Sequence, residues 1–353
     1  MATNGPEVWY VILASTSAPA PVTGRVEPNA LAFVHSGTGG TSWDPVAFHE
    51  FEYLIDKSSV AVSVTGQDIY IAYLNQSTQH IEVLVSNDGG ARWEVRPIAP
   101  VMATERHQNP IVRVTPSSPR LAYVVFQTVR QGANHIDITV SGDRGASFGT
   151  PIQIDPASGS LFPAPQMDSA TGVAIRNQVW QHFAVQPVSG RLFVAYEHAS
   201  EVWAQSSPLG VFWSAPVHVR RDAPLGNRPF QPTIAASAER VGVIFYEQGP
   251  AATSTAAQTV VIGATSPDGV SWGSNVVSRT PPSGLVPFEP CPTDDRVGQA
   301  YFGDYIGLVP LADPGDPNPN LLFFGAWADS RDGCTFSDRF GATHHHTVGT
   351  RFL

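Results

Sequence analysis

The feature that most constrains the fold of this chain is a short pattern, Ser-x-Asp-x-Gly-x-x-Trp, which recurs along most of its length. A complete copy follows an alternating strand pattern over residues 80–85. Ser and Asp side chains form hydrogen bonds with nearby backbone, and Gly adopts a positive φ, so the pattern suits a tight turn between two strands. A Trp that folds back over the turn covers apolar surface. This copy consists of Ser86, Asp88, Gly90 and Trp93.

We call this pattern the box turn, and it occurs five times. Two further copies keep the acid: one has Asp143 and closes on Phe148, and one, shorter by a residue, has Asp268 and closes on Trp272. Two copies lack the acid. They cover residues 36–43 and 206–213, with Thr38 and Pro208 in the acid position.

The spacing of the box turns indicates a repeat architecture. The closing aromatic residues stand at positions 43, 93, 148, 213 and 272, at intervals of 50, 55, 65 and 59 residues. A period of this size is typical of repeated supersecondary units that stack on their neighbours. The pattern resembles the Asp-box, or bacterial-neuraminidase repeat, of the sialidase-like β-propellers, from about Ser36 to the C-terminus. The resemblance is specific for fold and much less specific for activity.

The resemblance implies an all-β fold, a six-bladed β-propeller of four-stranded antiparallel blades with the Asp-box turns between third and fourth strands. Alternating patterns rich in β-branched and aromatic residues support four strands in each of repeats two to five. We predict a single domain over residues 1–353. The N-terminal strand, at about residues 7–14, is expected to join the last blade, at about residues 300–353, and so close the ring. Five and seven blades are the alternatives.

Composition excludes several classes of partner. A formal net charge of −10 without a basic run argues against nucleic acid and anionic membranes. No apolar run reaches the roughly 18 residues of a membrane span, so we expect no membrane insertion, and we expect a monomer. Residues 1–6 do not resemble a signal peptide. The protein is therefore either cytoplasmic or begins after a removed signal, and we expect an extracellular or periplasmic location.

Loop lengths predict which face carries the functional site. In an up-and-down blade, the loops between second and third strands and those between blades share the face opposite the box turns. Binding residues concentrate in long loops on a rigid scaffold, which places the predicted site on this face. The long segments are residues 99–108, 155–179, 220–230, 249–258, 279–300 and 329–342.

Polar residues recur at the ends of the second strands. Superposing these strands on a late aromatic residue aligns Glu197 with Glu247. Gln also recurs near the start of the first strands, at positions 108, 181 and 231, and is most simply a device that ties neighbouring strands together. The late aromatic residues on which the second strands are superposed are Tyr73, Phe126, Tyr196, Tyr246 and Trp327.

Sialidases use three arginines for a carboxylate, a Tyr nucleophile paired with a carboxylate, and an acid/base Asp. Guanidinium groups match a carboxylate, and a Glu that accepts the phenol proton makes Tyr a usable nucleophile. The family's Arg-Ile-Pro signature is absent, which puts sialidase activity itself in doubt; each arginine alone also suits a salt bridge. The resemblance implies Tyr305, Glu247 and Asp304 as catalytic candidates. It implies Arg106, Arg228, Arg296, Tyr246, Glu197, Asp329 and Arg331 as substrate-binding candidates.

Two sets of residues in the last repeat have two interpretations each. Asp304, Asp329 and Arg331 either anchor a ligand or form an ion-pair network. Cys291 and Cys334 either form a disulfide in an exported protein or are free thiols in a cytosolic one.

We predict no metal site and no cofactor. In a strand at most two of the three histidines at 344–346 share a face. The acidic residues at 294–295 and 313–316 either bind a structural Ca²⁺ or form solvated turns.

Two functions follow from the sequence. One is an exo-acting glycoside hydrolase with its site at the axial mouth, and the other is a non-catalytic propeller that binds carbohydrate or protein. A glycan is the partner we expect, and fold alone does not decide between the two functions.

Overall fold

The computed structural model describes residues 2–4, 7–15, 28–116, 121–154, 181–199, 201–220, 226–248, 259–280, 284–285, 291–294, 299–301, 306–311, 322–329 and 346–352. Every regular element among them is a β-strand. Five four-stranded sheets and one three-stranded sheet follow one another along the chain, and we number them sheets 1 to 6.

In each of the first three sheets, the third strand ends at the serine that begins a box turn. Sheet 1 contains β1 (Ala2–Asn4), β2 (Glu7–Ala14), β3 (Ala30–Ser36) and β4 (Ala47–Glu50). Sheet 2 contains β5 (Ile55–Val62), β6 (Ile69–Asn75), β7 (His80–Ser86) and β8 (Glu94–Pro97). Sheet 3 contains β9 (Arg106–Val114), β10 (Ala122–Arg130), β11 (Ala133–Ser141) and β12 (Ile152–Gln153).

The later sheets are built the same way. Sheet 4 contains β13 (His182–Val185), β14 (Leu192–His198), β15 (Glu201–Ser207) and β16 (Val217–His218), and sheet 5 contains β17 (Arg228–Ala236), β18 (Val241–Gln248), β19 (Thr259–Ser266) and β20 (Gly273–Val276). Two short ribbons follow, β21 (Arg279–Thr280) with β22 (Gly284–Leu285) and β23 (Cys291–Asp294) with β24 (Gln299–Tyr301). Sheet 6 contains β25 (Gly307–Leu311), β26 (Leu322–Asp329) and β27 (His346–Phe352).

Strand burial shows that these sheets pack on both faces. All seven residues of β6 and all eight of β18 are buried, so both faces of these strands contact protein. The fourth strand β8 has no buried residue. Strands covered on both faces contain runs of apolar residues instead of strict alternation, as β18 does.

The described residues form two compact units. Sheets 1 to 3, with the turns at 187–190 and 208–212, form unit 1, and sheets 4 to 6 form unit 2. In unit 1 one apolar core lies between sheets 1 and 2 and another between sheets 2 and 3. In unit 2 the cores lie between sheets 4 and 5 and between sheets 5 and 6.

These features confirm an all-β chain of antiparallel four-stranded sheets, which is consistent with a β-propeller. The number of six blades and the single ring remain predictions. In each of sheets 1 to 5 the strands are paired in chain order, as in an up-and-down blade.

The predicted position of the N-terminal strand is wrong. β2 pairs with β1 on one edge and with β3 on the other, so both of its edges are occupied within sheet 1. Val8 lies opposite Ser36 in the same way that Ile69 lies opposite Ser86. The first box turn thus takes its second strand from the N-terminus, and the last sheet does not.

Hydrogen bonds within the box turns explain their residue types. Ser86 Oγ accepts the N–H of Gly90 at 2.8 Å and donates to Asp88 Oδ1 at 2.9 Å, and Arg92 N–H donates to the same carboxylate oxygen at 2.9 Å. The turn that contains Asp143 repeats these bonds. There the hydroxyl and N–H of Ser147 lower the carboxyl pKa to about 2.

The first box turn shows how the acid is replaced. Ser36 Oγ still accepts the N–H of Gly40, at 2.9 Å. The Thr38 hydroxyl accepts the N–H of Ser42, also at 2.9 Å, which is the bond that the carboxylates of Asp88 and Asp143 make in their turns. The turn therefore survives without its negative charge.

The fourth box turn begins one residue later than predicted. β15 ends at Ser207, opposite Leu192, as β19 ends at Ser266, opposite Val241. Gly210 has a φ of +78°, matching Gly269 at +77°. Leu209 therefore takes the acid position, in place of Pro208.

Box-turn glycines also lie against the preceding sheet. Gly145 has a φ of +83°, and a Cβ built on it would lie 2.8 Å from Val85 Cγ1 and 2.9 Å from Tyr70 Cε1 of sheet 2. A Cβ on Gly269 would lie 2.6 Å from Phe193 Cε1 of sheet 4. Neither glycine leaves room for a side chain, because the turn contacts its neighbour at that point.

We expect Gly145→Ala to destabilise the protein by about 3 kcal/mol, because overpacking costs about 1–3 kcal/mol and the left-handed conformation about 1–2 kcal/mol more. Gly132→Ala, with a φ of +80° and nothing within 4 Å, measures the conformational part alone. Gly142→Ala, without positive φ, is the matched control. Urea unfolding of the three variants tests this, and equal losses for Gly145→Ala and Gly132→Ala would contradict it.

Candidate functional site

The end of sheet 5 away from its box turn contains the best defined candidate. Arg228 lies opposite Gln248, and Gln248 lies opposite Thr259, so the start of β17 and the end of β18 are neighbours there. Arg228 is exposed. Glu247 is only 2% exposed although it is the last residue but one of β18.

Two side chains hold the Glu247 carboxylate. Arg220 Nη1 lies 3.0 Å from Oε2, and Asn227 Nδ2 donates to Oε1 at 2.7 Å. Arg220 lies two residues after β16 and Asn227 directly precedes β17, so both come from the segment that connects these strands. A buried carboxylate needs such partners, since an uncompensated charge is costly to bury. Glu247 was predicted from sequence, whereas Arg220 and Asn227 were not.

Tyr246 and Glu197, both predicted to bind substrate, are fully buried in unit 2. The Tyr246 ring stacks on Phe230 with centroids 5.1 Å apart and belongs to the core between sheets 5 and 6. The Tyr246 ring therefore has no exposed surface in this structure, and its substrate-binding role stays a prediction.

The alignment of Glu197 with Glu247 is also wrong. In each second strand, one residue pairs with the box serine of the third strand. Four residues after it stand Tyr73, Phe126 and Tyr196 in sheets 2, 3 and 4. In sheet 5 the residue at the same distance is Phe245. Glu247 therefore corresponds to Asn75 and His198, one position beyond Glu197. Because successive side chains of a strand point to opposite faces, the two glutamates differ in orientation.

A β-bulge recurs in the first strands, which sequence analysis missed. Lys57, Asn109 and Gln231 have φ values of 53°, 49° and 50°, where the register of the strand pair shifts. The bulges lie opposite Tyr73, Phe126 and Phe245. Non-glycine residues rarely adopt this conformation, and a bulge changes the direction of a side chain. Asn109, and not Gln108, is thus the equivalent of Gln231.

The remaining predicted residues are located only in part. Arg106 is exposed at the start of β9, in unit 1, and Arg228 belongs to unit 2. Asp329 ends β26 opposite His346, Cys291 begins β23 opposite Tyr301, and Asp294 ends β23. The predictions that lie outside the described residues are Arg296, Asp304, Tyr305, Arg331, Cys334, 313–316 and 344–345; the disulfide and Ca²⁺ alternatives stay open.

A buried ionic cluster occupies the corresponding end of sheet 3. Arg130 Nε donates to Glu105 Oε1 at 2.5 Å, and Arg130 Nη2 lies 2.9 Å from Asp137 Oδ2. Burial alone would raise the pKa of Glu105, but the Arg130 hydrogen bond and backbone N–H groups bring it below its usual range. Both acids are nearly inaccessible, at 3% and 1% exposure.

His107 lies beside this cluster, with Glu105 as its nearest charged group among the described residues. Its Nε2 is 3.9 Å from Glu105 Oε2, and its Nδ1 accepts the N–H of Ile81 at 3.4 Å. Its ring packs against His80 and Phe126, with centroids 5.0 and 4.7 Å apart. Burial, together with repulsion from His80, lowers the pKa of His107 to about 4.

A tyrosine–carboxylate cluster in sheet 2 was also missed. Tyr53 and Tyr73 both donate to Glu82 Oε2, at 2.5 and 2.8 Å, and Asn75 Nδ2 donates to Oε1 at 3.0 Å. Burial, and then the Glu82 hydrogen bond, raise the pKa of Tyr53 to about 12. Both phenols therefore remain protonated donors at neutral pH.

Within the described ranges, no three His, Cys, Asp or Glu side chains are grouped as a metal ion requires. A search of these same residues for a helix long and apolar enough to cross a membrane found none.

Comparison with known proteins supports the fold without indicating an activity. No family model matches the chain, and no curated protein matches it. A solved structure of a protein of unknown function from Dyadobacter fermentans is similar at a TM-score of 0.51 and 11% identity, over 99% of this chain and 92% of that one. At this identity, the likeness bears on the fold alone.

Two enzyme structures are similar at lower scores. A GH93 α-L-arabinofuranosidase of Fusarium graminearum, in complex with arabinobiose, has a TM-score of 0.47 and 15% identity, over 80% of this chain and 76% of that one. The Hadza microbial sialidase Hz136 has a TM-score of 0.48 and 14% identity, over 92% and 61%. TM-scores below 0.5 are too low to support a conclusion about the activity of this chain.

We expect stability to fall between pH 6.5 and pH 4 because of His107. The imidazole of His107 binds a proton near pH 6.5 in the unfolded chain, but only near pH 4 in the folded chain. The unfolded state thus binds more protons, so the free energy of unfolding decreases as pH falls, by at most about 3 kcal/mol.

Urea unfolding at pH 7, 5.5 and 4.5 measures this dependence. His107→Gln should flatten it, whatever its effect on stability at pH 7. Equal pH dependence in the wild type and His107→Gln would refute the assignment.

Proposed function

We propose that this protein is a glycan-directed, exo-acting glycoside hydrolase that works at the end of its sheets opposite the box turns. The observation that carries the proposal is the Glu247 carboxylate, buried at that end and held by Arg220 and Asn227. Glycoside hydrolysis uses a pair of carboxyl groups or a Tyr–carboxylate pair. The box turns, through their resemblance to sialidase-like propellers, support the same class.

In this proposal Glu247 is the carboxylate that accepts a proton, and Arg220 and Asn227 are positioning residues that fix its orientation. Arg228, exposed three residues before the bulge at Gln231, would bind an acidic or hydroxylated substrate group. Tyr305 would be the nucleophile and Asp304 the acid, both inherited from the family resemblance. An extracellular or periplasmic location and a monomeric state are part of the same proposal.

A non-catalytic, glycan-binding propeller is the second candidate, and one observation favours it. Both oxygens of Glu247 already have side-chain partners, and Tyr246 and Glu197 have no accessible surface. A scaffold that has lost its chemistry would use exposed residues such as Arg228 for binding. The two candidate functions differ in one measurable property, because only the hydrolase turns over a glycoside.

We expect the protein to hydrolyse at least one member of a panel of aryl glycosides that includes a sialoside, a pentofuranoside and several hexopyranosides. Glu247→Gln should lower kcat at least about 100-fold, because proton transfer by a positioned group contributes about 10²–10⁴-fold. Glu239→Gln, in an exposed hairpin at the other end of sheet 5, should leave kcat unchanged. Circular dichroism establishes that both variants are folded.

Arg220→Met tests whether Arg220 positions Glu247 or binds substrate. If it positions Glu247, the substitution displaces that carboxylate and should lower kcat more than it raises KM. Absence of turnover across the panel would end the hydrolase proposal. A glycan array with Arg228→Gln as the comparison then tests the second candidate. Wild-type binding that the variant loses supports it, and no binding by either protein rejects it.

A further inference from the structure

A cavity of about 250 Å³ opens at the box-turn end of sheets 2 and 3, in unit 1. This volume equals about eight water molecules at roughly 30 Å³ each, which is room for one ligand of monosaccharide size. The cavity is bounded by the box turn of sheet 2, by β8, and by the box turn of sheet 3.

The cavity walls are held in place by bonds that involve no ligand. Arg144 Nε donates to Asp68 Oδ1 at 2.8 Å, and its Nη2 donates to the carbonyl oxygen of Asn87 at 3.2 Å, which links the two box turns. Gly145 forms part of the lining and is packed against Val85, which fixes the position of the sheet 3 box turn beside sheet 2. The concavity is therefore built into the fold.

The lining contains two arginines and two carboxylates, and the guanidinium of Arg92 is the one of its charged groups without a hydrogen bond among the described residues. Arg96 donates to Glu94 in an ion pair, so these two charges offset each other. Asp88 is engaged by its own turn, where the Arg92 backbone N–H and the Ser86 hydroxyl lower its pKa. The Arg92 guanidinium makes no side-chain hydrogen bond or ion pair with any described residue, although Asp88 is near enough to interact electrostatically.

We propose that this cavity binds a small ligand with one carboxylate on a hydroxylated ring, such as a hexuronate. Arg92 would hold the carboxylate, because the guanidinium fork matches carboxylate geometry. The Arg96–Glu94 pair and Asn87 supply donors and acceptors for hydroxyl groups. Val85 and Ala146 offer an apolar surface to one face of the ring. This site is independent of the hydrolase proposal.

Isothermal titration of the full chain with glucuronate, glucose and acetate tests the site. Glucuronate should bind with a dissociation constant on the order of 1 mM. Glucose lacks the carboxylate and acetate lacks the ring, so each should bind at least about tenfold more weakly. Binding of acetate as tight as that of glucuronate would overturn the ring-specific site.

Variants assign the binding to the cavity. Arg92→Gln should weaken glucuronate binding about tenfold, and Ala146→Trp, which fills the cavity from an exposed position, should abolish it. Arg240→Gln removes the same charge from a hairpin of unit 2 and should change nothing. The proposal is overturned if glucuronate does not saturate below about 50 mM, or if neither cavity variant weakens its binding.

Discussion

The third strand of each box-containing repeat ends in a serine, and in three acid-containing turns its hydroxyl accepts the N–H of a glycine that has positive φ. The bond joins Ser86 to Gly90, and the same bond recurs at Gly145 and Gly269. It sets where the fourth strand begins. In sheets 3 and 5 it also brings the glycine against the preceding sheet. The acid stabilises this arrangement without being essential, since Thr38 replaces it in the first turn.

Sequence predicted most strands, because strand alternation and turn residues are local signals. The errors have a different origin. The partner of β2 depends on which distant strand has a free edge, and local patterns do not encode that. The frame of the fourth box turn was ambiguous because Ser206 and Ser207 are adjacent; the register opposite Leu192 and the positive φ of Gly210 decide it.

The candidate site was predictable only at the level of single residues. Glu247 stands at a strand end, and its position in a repeat marks it as a candidate. Its partners Arg220 and Asn227 come from a loop with no recognisable pattern. The clusters around Glu105 and Glu82 depend in the same way on side chains from separate strands and loops. Phe245 and Tyr246 are adjacent in β18, and superposition on the second of them misaligned Glu197 with Glu247 by one position.

The bulges at Lys57, Asn109 and Gln231 have an evolutionary consequence. Each interrupts the pairing of a first strand at one point, and regular pairing resumes beyond it. The side chain at a bulge can change while the ladder on either side stays intact. A cation and two amides already occupy these equivalent positions. Because the same bulge carries different side chains in three sheets of one chain, a repeat can change the group at this position without changing the strand pairing around it.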